Sequence, residues 1–254
     1  MDFAIVDDER VIRNFRSFTQ ADETSLDILA LVDVSDSVAP RFRTTMSDVR
    51  ELIKQEQSIA GDELSVVSFG GLHPAILCSS DCRAPDTVAK LQAVKSGGLT
   101  PLFDTLMFAA DFISHHRRAG ARPVLILFSD GNDTISLHSR REALEAVQAV
   151  GALVYSVDLG TSGNRSCQGR DSIFLQQVSE ATGGRYFSCS SGVSKSDTAT
   201  IADAVHQDLR ASYVVTYDLP SHQAGFHSLR LLPTHNLNLT FHSRNGYHYE
   251  PSVR

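Results

Sequence analysis

Short apolar runs alternate along most of the chain with segments in which apolar residues recur at helical spacing. Apolar runs of this length are typical of strands that are buried on both faces of a parallel sheet. The expected strands of this kind are 26–32, 64–69, 123–128 and 152–159. The expected helices are 42–59, 87–94, 102–116, 141–150, 173–181 and 200–209. Strands that alternate with helices predict a doubly wound α/β fold, with a mainly parallel central sheet and helices on both faces.

The two ends of the chain have a different character. Residues 3–15 predict two short strands, and residues 18–25 are polar and are interpreted as a linker. After residue 212 three β-rich segments follow without a helical pattern, at 213–217, 227–232 and 237–241. The simplest arrangement pairs the N-terminal strands with this C-terminal block. We therefore expect an α/β domain over residues 26–212 and a small β annex built from residues 1–25 and 213–254.

Composition and charge narrow the class of protein. The chain has 254 residues, of which 42% are hydrophobic and 21% charged, so one large domain with an ordinary core is available. The formal net charge of −7 disfavours nucleic acids and anionic membranes as partners. No stretch is long and apolar enough for a transmembrane helix, and no signal peptide is recognised at the start. We expect neither nucleic-acid binding nor direct insertion into a membrane.

The four cysteines permit two disulfides, with three connectivities. Cys78 and Cys82 are near enough in sequence to close a small loop, and Cys167 and Cys189 follow two expected strands and can meet in space. Zinc binding is a weaker alternative, because the two pairs lack the short Cys-x-x-Cys spacing of zinc ligands. Four free thiols in a reducing compartment are the other alternative. We favour disulfides and, with them, an extracytoplasmic location.

Three polar loops begin at the expected carboxyl ends of strands, where open α/β sheets bind ligands. They contain Asp33-Val34-Ser35-Asp36-Ser37, Gly97-Gly98-Leu99-Thr100 and Ser129-Asp130-Gly131. Alternate side chains at the end of a strand can point to one side, so a carboxylate and two hydroxyls of the first loop can face one ion. Such oxygen ligands select hard cations, Mg²⁺ above all, with Mn²⁺ or Ca²⁺ as alternatives. The sequence therefore predicts a divalent-metal site built from Asp33, Ser35, Ser37, Thr100 and Asp130.

Simpler interpretations exist for parts of this pattern. An isolated Asp-x-Ser-x-Ser segment also fits an Asx turn or a helix cap, but three matching loops at three strand ends favour the metal site. Asp104 is interpreted as a helix residue that supports a loop, and Asp36 and Asp133 as solvated loop acids. The ten histidines are scattered, and we expect no second metal site among them.

These loops carry a family resemblance. The Asp-x-Ser-x-Ser segment, the Gly-Gly-x-Thr-Pro-x-x-Asp loop and the Phe-Ser-Asp-Gly strand end resemble the von Willebrand factor type A domain, a family that includes the integrin I domains. The resemblance covers roughly residues 26–212 and implies a Rossmann-like fold. It also matches all five positions of the family's metal-ion-dependent adhesion site. The flanks resemble a bacterial subset of the family whose members look secreted or surface-associated.

The resemblance implies a role for each of the five residues. Ser35 and Ser37 would be direct metal ligands, and Thr100 would become one when a partner is bound. Asp33 and Asp130 would act mostly through water or by orienting the hydroxyls. An exposed Asp or Glu of a partner protein would complete the coordination, as in related adhesion domains.

Two other functions compete with this binding module. A metal-assisted hydrolase or phosphatase would need a general base or a nucleophile beside the metal, and the sequence lacks a phosphate-binding glycine motif and a Gly-x-Ser-x-Gly elbow. A scaffold subunit of an envelope complex would keep the metal for structure alone. We favour the binding module and expect no enzyme activity.

Overall fold

The computed structural model describes residues 3–251 except 22–23, 57–58, 60, 81, 83, 161–171, 189–197, 236–237 and 239–240. The strands are β1 (Phe3–Asp7), β2 (Arg10–Val11), β3 (Phe15–Gln20), β4 (Leu26–Asp33), β5 (Glu63–Phe69), β6 (Ala75–Ser79), β7 (Arg122–Ser129), β8 (Leu153–Asp158), β9 (Tyr186–Phe187), β10 (Tyr213–Tyr217), β11 (Gly225–Pro233) and β12 (Gly246–Tyr249). The helices are α1 (Phe42–Glu56), α2 (Pro85–Ala93), α3 (Leu102–His116), α4 (Arg140–Ala149), α5 (Ser172–Thr182) and α6 (Thr198–Ala211). A 3-10 helix, Asp36–Arg41, precedes α1.

Six strands form the central sheet in the order β6-β5-β4-β7-β8-β9. All neighbours are parallel except β5 and β6, which form the antiparallel edge. Along β4, Leu29 and Leu31 pack into one apolar cluster, whereas Ile28 and Ala30 pack into the cluster on the opposite face. The strand is therefore buried on both faces, and the prediction from its continuous apolar run is confirmed.

Helices cover both faces of this sheet. One apolar cluster holds side chains of α1, α2 and α6, and the other holds side chains of α3, α4 and α5. The expected stripe of α1, made of Met46, Val49, Leu52 and Ile53, is buried. The doubly wound fold is confirmed. Among the described residues, no helix combines the length and the apolar character needed to cross a bilayer.

The strands near the two ends of the chain pair with one another. Antiparallel pairing gives a four-stranded sheet in the order β12-β11-β1-β2 and a separate two-stranded ribbon of β3 and β10. We call these strands the β annex. The prediction of a linker from residue 18 onward is wrong, because β3 continues to Gln20. Its polar residues misled the prediction, since most side chains of β3 are exposed. Phe18 makes the apolar contacts of this strand, with Tyr213 and Phe3.

Other expectations lie partly or wholly beyond the described residues. The strand expected at 237–241 includes three residues that the structure does not describe, and the annex closes instead with β12. Cys78 and Cys82 are joined in a disulfide, with a Cα–Cα distance of 5.2 Å, between β6 and α2. Cys167 and Cys189 both lie outside the described residues.

Candidate metal centre

The five residues of the expected metal site lie at one edge of the central sheet. Asp33 is the last residue of β4, Asp130 directly follows β7, and Thr100 lies two residues before α3. Asp33, Thr100 and Asp130 are at most 2% exposed, Ser35 is 1% exposed and Ser37 is half-buried. Since β4 and β7 are adjacent and parallel, their carboxyl ends bring the first and third loops side by side.

The first loop gathers its three candidate metal ligands on one side. The Asp33 Oδ1 atom accepts hydrogen bonds from the Ser35 backbone N–H (2.9 Å) and from the Ser35 hydroxyl (2.6 Å). The Ser35 and Ser37 hydroxyl oxygens are 3.1 Å apart. The first of these bonds is an Asx turn, so the simpler interpretation of the segment is present as well. The turn itself brings the serine hydroxyls together beside the carboxylate.

The third loop is linked to the first through Ser129. The Ser129 hydroxyl donates a hydrogen bond to Asp33 Oδ2 (2.8 Å) and accepts one from the Gly131 N–H (3.1 Å). Asp130 Oδ1 accepts a hydrogen bond from the Asn132 N–H (3.1 Å). No role was predicted for Ser129 from the sequence. The signal that could have identified it was a hydroxyl at the end of a buried strand, directly after Phe128, which pairs with Val32 of β4.

The second loop is held against the other two by backbone hydrogen bonds. The Gly97 N–H donates to the Val34 carbonyl (2.6 Å), and the Gly98 carbonyl accepts from the Asp36 N–H (3.1 Å). Gly98 has φ +93°, and a Cβ there would lie 3.1 Å from a backbone nitrogen of the neighbouring loop. Glycine at this position therefore permits the turn and the close approach. The backbone of Thr100 is tied to the third loop. Its N–H donates a hydrogen bond to the Thr134 hydroxyl (2.7 Å), and its carbonyl oxygen accepts one from the Thr134 N–H (2.9 Å).

Two acidic residues link the third loop to the start of α3, one from each side. Asp104 accepts hydrogen bonds from the backbone N–H groups of Leu137 and His138 at 2.9–3.1 Å, as expected of a supporting residue. Asp133 was expected to be a solvated acid, but the structure contradicts this: it is half-buried and accepts from the Phe103 N–H (3.2 Å) and from Ser136. Asp133 therefore fixes the loop to α3, whereas Asp36 is exposed as expected.

Electrostatics at this edge favour a cation. Burial raises the pKa of Asp33 to about 6, although hydrogen bonds from Ser35 and Ser129 lower it, and the charge of Asp130 raises it further. Two neighbouring buried carboxylates repel each other, and a positive charge between them would relieve both the repulsion and the cost of desolvation. Carboxylates and hydroxyls are also the oxygen ligands that Mg²⁺ prefers. The donor set fits a hard divalent cation.

A second group of potential metal ligands lies in the β annex. Oxygen and nitrogen atoms of Asp7, Asp8 and His227 lie within 4.8 Å of one another. His227 Nδ1 is 2.6 Å from Asp8 Oδ2, and its Nε2 is 2.8 Å from the Gln223 carbonyl oxygen. Both partners are acceptors, so both nitrogens of His227 are best satisfied when they carry protons, and neither then has a lone pair for a metal. The geometry favours an ion pair between the ends of the chain.

Shifts in pKa agree with that ion pair. The Gln223 carbonyl and then the Asp8 carboxylate raise the pKa of His227. The backbone N–H of Ser228, and the bond from His227, lower the pKa of Asp8. Next to the pair, Asp7 Oδ2 accepts hydrogen bonds from the hydroxyls of Tyr217 and Tyr247, each at 3.0 Å. The network joins β1, β10, β11 and β12.

Comparison with known proteins agrees with the geometry. Residues 28–132 match the family model of the von Willebrand factor type A domain. The chain contains a von Willebrand factor type A domain. The domain resembles BatB from Bacteroides thetaiotaomicron, with a TM-score of 0.53 and 16% identity over 74% of this chain and 100% of that one. It also resembles the VWA domain of SpRpn10, with a TM-score of 0.50 and 9% identity over 63% of this chain and 85% of that one. A third likeness is to an aerotolerance-related membrane protein from Bacteroides fragilis, with a TM-score of 0.52 and 14% identity over 72% of this chain and 98% of that one. At these identities the likeness shows the fold alone.

Two curated relatives share part of the sequence. The magnesium-chelatase 60 kDa subunit of Rhodobacter capsulatus is 27% identical over 110 residues, which cover 43% of this chain and 20% of the relative. An uncharacterized protein of Mycobacterium tuberculosis is 28% identical over 146 residues, which cover 53% of this chain and 22% of the relative. The chain thus spans about a fifth of the length of these relatives. Von Willebrand factor type A domains are often protein-interaction modules, and they often bind a divalent metal.

Proposed function

We propose that this domain holds a divalent cation, Mg²⁺ in preference to Mn²⁺ or Ca²⁺, and uses it to bind an exposed Asp or Glu of a partner protein. The residues that would hold the cation are Asp33, Ser35, Ser37, Thr100 and Asp130. The observation that carries the proposal is the cluster in which the Ser35 hydroxyl contacts both Asp33 and the Ser37 hydroxyl. Burial raises the pKa of Asp33 to about 6. A bound cation would supply a Lewis-acidic position for a further oxygen ligand.

The chemistry of the site explains why an acidic partner is expected. The five residues provide two carboxylates and three hydroxyls, which leaves room around a six-coordinate cation for water or an external oxygen. A partner carboxylate is a charged oxygen ligand that can replace such a water. The magnesium-chelatase relative is a subunit of an enzyme named for this metal, which is a further reason to test Mg²⁺ first.

Catalysis is less well supported than binding. As an acceptor of a phosphoryl group, Asp33 would need an accessible oxygen, but the residue is 0% exposed and both carboxylate oxygens accept hydrogen bonds from serine hydroxyls. The hydrolase alternative predicts Mg²⁺-dependent turnover of generic phosphate or ester substrates that is lost in Asp33→Ala. We expect no such turnover, and its detection would replace the binding proposal with an enzymatic one.

A selection with displayed peptides tests the binding proposal. A library of random linear peptides is panned on the immobilised domain in Mg²⁺, and bound peptides are eluted with a chelator. We expect Asp or Glu to be enriched among the eluted peptides on the wild type and not on Ser35→Ala/Ser37→Ala. Equal enrichment on both proteins, or none on the wild type, would contradict an acidic ligand at the metal.

We also propose an extracytoplasmic location, because the Cys78–Cys82 disulfide is stable in oxidising compartments. Alkylation of the denatured protein, purified from its native source without reductant, is expected to leave both cysteines unmodified. Alkylation of both would indicate a reducing compartment instead.

A structural metal in a scaffold subunit would give metal binding without any recovery of acidic peptides.

A further inference from the structure

Two leucines next to the metal centre are unusually exposed. Leu137 is 93% exposed and Leu72 is 74% exposed, the two highest values for large apolar side chains among the described residues. Leu99, within the second loop, is 53% exposed. Single exposed apolar residues are ordinary on protein surfaces. Three of them on the loops at one edge of the sheet call for a physical reason.

Leu72 and Leu99 are held next to each other by the backbone. The Gly71 N–H donates a hydrogen bond to the Leu99 carbonyl oxygen at 2.7 Å. Leu99 is followed directly by Thr100, and a Cβ added to Gly70 would lie 3.1 Å from the Ser35 backbone nitrogen. The loop that carries Leu72 therefore abuts both the first and the second loop of the metal centre.

Leu137 lies on the third loop, whose Thr134 is hydrogen-bonded to Thr100. The Leu137 backbone N–H donates to both carboxylate oxygens of Asp104, at 3.0 and 3.1 Å, in the first turn of α3. That helix begins two residues after Thr100. The backbone of Leu137 is therefore anchored while its side chain points into solvent. Presentation of an apolar side chain from a fixed backbone lowers the entropy that is lost when a partner covers it.

Charges around the metal centre restrict what the partner can carry. The exposed Asp36 lies in the first loop, and the chain has a net charge of −7. A partner with a run of acidic residues would be repelled by these charges, whereas a single carboxylate could still reach the cation. Apolar residues on either side of that carboxylate would cover the leucines, in the common pattern of a polar contact within an apolar interface.

We propose that Leu72, Leu99 and Leu137 form an apolar rim around the metal centre, and that the partner is a protein segment with one Asp or Glu flanked by apolar side chains. This inference rests on the proposed function and adds the sequence context of the acidic residue. The rim supplies apolar contact area, and the cation supplies the requirement for the carboxylate.

The test uses displayed peptides with a fixed central Glu and random residues on both sides, together with the unbiased library described above. Both are panned in Mg²⁺ on the wild type, on Leu72→Ser/Leu99→Ser/Leu137→Ser and on the control Leu232→Ser, whose leucine is 43% exposed in the β annex. We expect apolar flanks on the wild type and the control, and about tenfold weaker binding of the best peptide to the rim variant. Circular dichroism and Mg²⁺ calorimetry should show that the rim variant still folds and binds metal.

The outcomes separate the two proposals. Acidic peptides without a preference for apolar flanks, or the same preference on the rim variant, would overturn the rim while the acidic ligand stands. No enrichment of acidic residues from the unbiased library would overturn the proposed function and, with it, the rim.

Discussion

Asp48 is a buried carboxyl on the inner side of α1 that the metal centre does not use. It is 4% exposed, and within the described part of the chain its Oδ1 atom has no hydrogen-bond donor. Burial raises the pKa of Asp48 to about 7, and no other group contributes to the shift. We predict that Asp48→Asn stabilises the protein at alkaline pH and has little effect at acidic pH.

The direction and size of this effect follow from proton linkage. Between the unfolded pKa of 3.8 and the folded value of about 7, the folded protein keeps a proton that the unfolded chain has lost. The stability that the protonated Asp48 contributes is therefore fully present below the unfolded pKa. It falls as the pH rises and is lost above the folded pKa. A shift from 3.8 to about 7 corresponds to ~4 kcal/mol. Water near the helix surface screens the charge, so we expect about 2 kcal/mol.

Urea unfolding at about pH 5 and about pH 8.5 measures the effect. Since the lower of these pH values lies above the unfolded pKa of 3.8, part of the effect is already present there. The free energy of unfolding of Asp48→Asn, relative to the wild type, should therefore increase by about 1 kcal/mol between the two conditions. Asp111→Asn is the control, because the Asp111 side chain is 72% exposed on α3, and it should show no such change. A chelator in all samples keeps metal binding out of the comparison. The same relative stability of Asp48→Asn at both pH values would refute the reasoning.

Two further predictions concern the metal centre and the β annex. Ser129→Ala removes the hydroxyl that orients the Asp33 carboxylate, so the Mg²⁺ affinity measured by calorimetry should fall about tenfold. The control is Ser156→Ala, which removes a buried hydroxyl of β8 that is hydrogen-bonded to α5 and should leave the affinity unchanged. Equal affinities of Ser129→Ala and the wild type would contradict a positioning role for Ser129. The ion pair of His227 and Asp8 should protect β1 and β11 from hydrogen exchange between the lowered pKa of Asp8 and the raised pKa of His227. After correction for intrinsic exchange, protection should decrease above the pKa of His227 in the wild type and not in His227→Gln, and a parallel pH dependence in both would count against the ion pair.

The central sheet was predictable because its residues carry a local signal. Continuous apolar runs such as the one in β4 have few stable settings other than a strand buried on both faces. Parallel strands then place the loop that begins at Asp33 beside the one that contains Asp130, so the positions of the candidate metal ligands follow from strand order. Ser129 was missed because its role depends on the register between two strands, which the sequence does not contain.

The β annex was harder to predict because its contacts are long-range and polar. His227 and Asp8 are 219 residues apart, so neither residue indicates its partner locally. β3 is a polar, mostly exposed strand, and such a pattern does not differ from that of a linker. Asp133 was expected in solvent for a similar reason, since its hydrogen bond from the Phe103 N–H depends on how α3 packs.

The most direct test of the account is a calorimetric titration with Mg²⁺. The wild type is compared with Ser35→Ala/Ser37→Ala, and the matched control is Ser65→Ala/Ser79→Ala, a second pair of hydroxyls in contact (3.2 Å) on the neighbouring strands β5 and β6. The account predicts one Mg²⁺ per chain for the wild type and the control, and an affinity at least about tenfold lower for Ser35→Ala/Ser37→Ala. Equal Mg²⁺ binding by all three proteins, or none by the wild type, would contradict it.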